Sequence, residues 1–116
     1  MGTPVLILIS ADPRTSHRAN EAVRIALGIL AGETEVRIVL GDKAVAMLQE
    51  DTEDLVDGDD IAKHLSTLVK LGQAFHVDER ALPGIEWNAA ERTLIPVSPA
   101  EIADLITRSE RVLVFQ

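Results

Sequence analysis

The side chains with the clearest chemical capacity fall at three places, each just after a run of aliphatic residues. The first is Ser10-Ala11-Asp12-Pro13-Arg14-Thr15-Ser16-His17-Arg18. A loop that leads from a strand into a helix turns backbone N–H groups and the positive end of the helix dipole toward an anion. Arg14, Thr15, Ser16 and Arg18 add donors around Asp12, so these five residues form a candidate anion-binding loop. Helix capping by Ser16 or Asp12, with both arginines solvated, is the competing reading. The lack of the glycines that let phosphate approach a backbone favours it. The other two places are Gly41-Asp42-Lys43 and Asp78-Glu79-Arg80.

Other chemistries find little support in the residues. There is no cysteine, which removes disulfides, thiolate metal ligation and thiol nucleophiles from these 116 residues. His17, His64 and His76 stand singly, with no His-x-x-x-His pair, so no metal site is expected. Glu50 to Asp60 holds seven acids in eleven residues, but its one glycine sets a register that puts Glu53 and Leu55 where calcium-loop ligands belong. It reads as a solvated loop. Phe75, Trp87 and Phe115 are the only aromatics, too few to stack bases or a flavin ring, and no cofactor is expected. The formal net charge of −8 repels phosphate backbones and anionic membranes, so neither nucleic acid nor membrane is an expected partner. No signal sequence, spanning segment or myristoylation motif opens the chain, and the expected location is the cytoplasm.

The elements that must position these residues follow from hydrophobic periodicity. An unbroken aliphatic run at Val5–Ile9 and shorter apolar-rich runs at Val36–Leu40, Ala74–Val77, Leu94–Val97 and Val112–Phe115 predict strands, and Pro96 suits an edge or a strand end. Between them, Ala19, Ala22, Val23, Ala26, Leu27 and Leu30 recur at helical spacing from Ser16 to Ala31, with Gly32 as C-cap. A short helix is expected after Gly41-Asp42. Another, capped by Asp59 or Asp60 and stopped by Gly72, turns Ile61, Leu65, Leu68 and Val69 inward. Pro83-Gly84 marks a break, and Trp87 to Glu91 fits neither period. Ser98-Pro99-Ala100-Glu101 carries a serine cap, a proline at the first helical position and the capping-box glutamate, starting a helix that buries Ile102, Leu105 and Ile106. Alternating strands and helices predict a single domain over residues 1–116. It is an α/β fold in three α/β/α layers, with a five-stranded, mostly parallel sheet and flavodoxin-like layering. Sites in such sheets lie outside the carboxyl ends of the strands, where all three candidate places fall.

The order of elements and the wording of several strand ends resemble the DsrE/DsrF/DsrH-like family, which includes the sulfur-relay subunits of the TusB, TusC and TusD type. Val5-Leu6-Ile7-Leu8-Ile9-Ser10, the loop to Arg18-Ala19 and the helix through Leu30-Ala31-Gly32 resemble its first β-α unit, and Glu35 to Asp42 its second. Ala74 to Leu82 and Ile102 to Phe115 are similar to the TusB branch. The resemblance implies an oligomeric α/β protein, some of whose members pass sulfur as a persulfide on a cysteine just after the third strand. Here that neighbourhood reads Val77-Asp78-Glu79-Arg80, and a carboxylate cannot hold sulfane sulfur. A non-catalytic subunit in assembly or small-ligand binding is therefore expected, with itself or related sulfur-relay subunits as partners. Ile25 and Ile29, lying off the main stripe of the first long helix, point to a dimer or trimer through that helix. Asp12, Asp42 and Asp78 after three successive strands also resemble a phosphorelay receiver, a switch or enzyme with Asp78 as the reactive carboxylate. The lysine such a receiver needs after the fifth strand does not follow.

Overall fold

The computed structural model describes residues 4–49, 52–82 and 93–116. Its strands are β1 (Val5–Ile9), β2 (Val36–Leu40), β3 (Phe75–Asp78), β4 (Leu94–Val97) and β5 (Arg111–Phe115). They form one sheet in the order β4-β3-β2-β1-β5, every neighbouring pair parallel. The expected α/β architecture is thus present, and the sheet is wholly parallel. Helices α1 (Arg18–Ala31), α2 (Gly58–Lys70) and α3 (Pro99–Arg108) supply the outer layers. Pro96 sits in edge strand β4, where its missing N–H costs no ladder bond on the open side.

Side chains alternate between the two faces of the sheet. Ile7, Ile9, Val36, Ile38, Leu40, Phe75 and Val77 point to one face and join the main core with Ala19, Ala22, Val23 and Ala26 of α1 and Ile61, Leu65 and Leu68 of α2. The alanines on α1 let the helix backbone approach the strands closely. The opposite face carries Leu8, Arg37, His76, Ile95 and Val114, and there α3 packs on β4 while its Ile102 lines a cavity shared with Leu8, Val39 and Val114. Among the described residues α3 is the one helix on that side, and it contains no fully buried residue.

Several expectations are corrected by packing. Helix α1 begins at Arg18 rather than Ser16, with His17 at the N-cap and no side-chain cap bond. The helix after Gly41 is a 3-10 helix, Asp42–Leu48. Ala44 to Leu48 are all buried, so this segment has no solvent face and is held by its surroundings. Helix α2 starts at Gly58 behind Asp57, ahead of the expected Asp59 or Asp60 cap. A Cβ on Gly58 would overlap the Thr52 carbonyl oxygen, so only glycine lets the chain turn there. The acidic run is not wholly solvated, because Leu55 is buried in the core and Val56 N–H donates to the Pro13 carbonyl at 2.7 Å. Its Glu50 and Asp51 lie outside the described residues, as do the Pro83-Gly84 break and the segment Trp87 to Glu91.

Both long helices on the core side end in a Schellman motif. At α2, Gly72 N–H donates to Val69 and Gln73 N–H to Leu68, with Gly72 left-handed at φ 82°. At α1, Glu33 N–H donates to Leu30 and Thr34 N–H to Ile29, and Glu33 takes the left-handed position at φ 65°. Gly32 is the C-cap, as expected, yet its φ of −81° makes no use of glycine's freedom. Ile25 and Ile29 are half-buried against the core, so the surplus apolar face expected on α1 is largely consumed within the chain. The capping box of α3 is present: Glu101 N–H donates to Ser98 Oγ at 3.1 Å, and Ser98 N–H donates to Glu101 Oε1 at 3.0 Å. Its expected burial is not complete, since Ile106 is 40% exposed.

Candidate functional site

Strand β3 ends at Asp78, the one charged side chain buried among the described residues. Its carboxylate turns the chain into a 3-10 helix, Glu79–Ala81. Oδ1 accepts from the Arg80 backbone N–H at 3.0 Å and from Arg80 Nε at 3.0 Å, and Oδ2 accepts from Nη2 at 2.7 Å. This forked geometry satisfies both oxygens at once. The Arg80 guanidinium holds the Asp78 carboxyl below its usual range, outweighing the opposing effect of burial. Asp78 raises the arginine in return, and Asp42 and Glu79 add to that field.

Beside this pair, the carboxyl ends of β1, β2, β3 and β5 line, together with α3, an open cavity of about 250 Å³. Leu8, Val39, Ile102 and Val114 form an aliphatic wall, while Ser10, Asp42, Asp78 and Arg80 supply the polar end. Asp42 opens the first 3-10 helix in the left-handed region, φ 48°, a strained backbone placed directly at the cavity. The structure therefore brings together the ends of the Gly41 and Asp78 segments. Of the first loop it adds only Ser10.

The rest of that loop lies outside the cavity lining and is braced by its own bonds. Asp12 Oδ1 accepts from Arg14 N–H at 2.9 Å, and Ser16 Oγ accepts from Arg18 N–H at 3.1 Å. Thr15 and Ser16 N–H groups donate to the Asp12 carbonyl. His17 Nδ1 meets Asp57 Oδ2 at 2.6 Å, joining the starts of α1 and α2, and the Arg18 guanidinium lies 5.9 Å from the Phe115 ring centre. Asp12 is thus not gathered with Asp42 and Asp78.

Sequence reasoning missed two features here. The aliphatic wall looks like ordinary core in the sequence and becomes a cavity wall only because β5 adds beside β1. His76, on the same sheet face, has a buried Nδ1 with no hydrogen-bond partner among the described residues. Burial is the main cause that lowers its pKa below 6.5, with Arg37 adding to it and the nearby Ile38 carbonyl and Glu101 opposing. Among the described residues no three His, Asp or Glu side chains gather as a metal-holding group. No helix there is long and apolar enough to cross a membrane.

The strand order and a cleft at the strand ends describe a fold, and the comparisons with known proteins supply its lineage. The profile of the DsrE/DsrF-like family matches residues 4–115. This chain belongs to the DsrE/DsrF-like family. Among solved structures, the ychN protein from E. coli superposes with a TM-score of 0.79, covering 97% of this chain and 99% of that one. At 17% identity that likeness speaks for the shared DsrE-like fold alone. No curated protein matches the sequence.

Proposed function

We propose that this DsrE/DsrF-like chain is a non-catalytic, single-domain cytoplasmic subunit that cannot carry persulfide sulfur. In this reading it acts by assembling with copies of itself or with related sulfur-relay subunits, and by holding a small ligand. The observation that carries the reading is the pairing at the end of β3. Where the family resemblance implies a thiol, Asp78 stands with both oxygens engaged by Arg80. Sulfur transfer of that kind needs a thiolate as nucleophile and acceptor, and these 116 residues contain none. Any sulfur chemistry then belongs to a partner chain.

Persulfide-specific labelling after incubation with a sulfur donor tests this directly. The unmodified chain is expected to stay unlabelled, and covalent sulfur on it would overturn the reading. Label gained by an Asp78→Cys variant would support Asp78 as the counterpart of the family's thiol.

The second reading, a receiver-like switch or an enzyme using Asp78 as a reactive carboxylate, draws on Asp42 and Asp78 lining one cavity. It requires Arg80 to release an oxygen that it now holds at 2.7 Å. Saturable beryllofluoride binding that depends on magnesium and on Asp78 would favour it over the first.

A further inference from the structure

The cavity at the strand ends has a built polarity that selects a class of ligand. One wall is aliphatic, and Val114, half exposed at 50%, leaves that wall open to an incoming molecule. At the polar end, Arg80 is the only cation among the described lining residues, and two of its side-chain N–H groups already go to Asp78. Asp42 and Glu79 act on the same guanidinium, so three carboxylates surround one positive charge. The Asp42 side chain makes no hydrogen bond or ion pair among the described residues, and it lines the cavity from a left-handed backbone position. The local field is therefore negative, with the same sign as the net charge of −8.

We propose that this cavity binds a small aliphatic primary amine, its ammonium group against Asp42 and its alkyl body along Leu8, Val39, Ile102 and Val114. The volume of about 250 Å³ lies near the lower end for small-molecule pockets and accommodates a short alkyl chain rather than a nucleotide. Burying that chain against the aliphatic wall supplies the bulk of the affinity, and charge supplies the choice of head group. A carboxylate of the same length meets Asp42 with the wrong sign. The proposal deepens the small-ligand part of the reading above and is independent of persulfide chemistry.

Amide NMR titrations of the whole chain with hexylammonium, hexanoate and hexanol at low salt test it. Hexylammonium is expected to shift Leu8, Gly41, Asp42 and Val114 saturably, and more tightly than either other probe. Asp42→Asn removes the charge while keeping a residue that tolerates the left-handed backbone. It should weaken hexylammonium about three- to fivefold, the size expected of an exposed ion pair, and leave hexanol unchanged. Absence of saturable shifts with hexylammonium, preference for hexanoate or hexanol, or an Asp42→Asn variant of undiminished affinity would each overturn the proposal. None of these results bears on persulfide labelling, so the two readings fail separately.

Discussion

Two ionisable groups on β3, two residues apart and on the same sheet face, are fixed in charge by different means. Asp78 is kept ionised by a bonded cation, whereas His76 is kept neutral chiefly by burial. The folded state of His76 therefore binds a proton less readily than the unfolded chain does. Its contribution to stability is complete above pH 6.5 and is lost as pH falls through the lowered folded value. The groups facing it are Arg37 from β2 and Glu101 from α3, of opposite sign, so neither offers the imidazolium a net rescue. Urea midpoints compared at about pH 7.5 and about pH 5.5 should drop more in the native chain than in a His76→Gln variant. Equal drops in the two would show that His76 does not titrate between folded and unfolded states. For Asp78 the same sign holds at lower pH, its contribution being present above 3.8 and lost as pH falls through the lowered folded value.

At the scale of elements, the two Schellman termini differ in one residue type at the same geometry. Gly72 meets the left-handed requirement after α2 at little cost, while Glu33 meets it after α1 with a Cβ that this backbone conformation brings close to its own carbonyl oxygen. Glu33→Gly should raise unfolding free energy by about 0.5–1 kcal/mol, the relief of strain being partly offset by the freer unfolded chain. A loss of stability in urea titration would refute this account of the terminus. The reason Gly32 drew attention in the sequence, and Glu33 did not, is that capping signals name a residue type and leave its position open by one. Strands are more legible: Val5–Ile9, Val36–Leu40 and Leu94–Val97 stand at their expected bounds, because aliphatic-rich runs flanked by polar or turn residues have sharp ends. Asp78 was legible as a strand-end carboxylate, but the Arg80 fork that occupies it was not, since side-chain direction after a strand depends on the turn. On α3 the spacing predicts burial of Ile102, Leu105 and Ile106, and none of the three is fully buried. Periodicity says which residues share a face, however, and Ile106 shows that it does not say what covers them.

Across the whole molecule the two sheet faces are unequally covered, with α1 and α2 on one side and α3 alone among the described helices on the other. Among the described residues, three of the four exposed large apolar side chains follow that inequality, Ile106 at 40% on α3, Ile95 at 39% on β4 and Val114 at 50% on β5, while the fourth, Leu71 at 57%, caps α2. The proposed self-association is thus better served by the α3 side than by α1, whose Ile25 and Ile29 pack inward. Sedimentation at micromolar concentration should give a dimer or trimer, and Ile106→Asp should shift it toward monomer with its helical circular dichroism intact. A monomeric native chain would refute the association, and an Ile106→Asp oligomer would place it elsewhere. The strand order has one more effect. β5 follows every other strand in the chain yet pairs with β1, the first, and Ser10 and Ala11 N–H groups both donate to Phe115. As the polypeptide leaves the ribosome, the open side of β1 waits for a partner until all other strands have been made. During that interval it presents an unpaired, hydrophobic ladder to neighbouring nascent chains, the kind of edge that recruits chaperones or seeds aggregation.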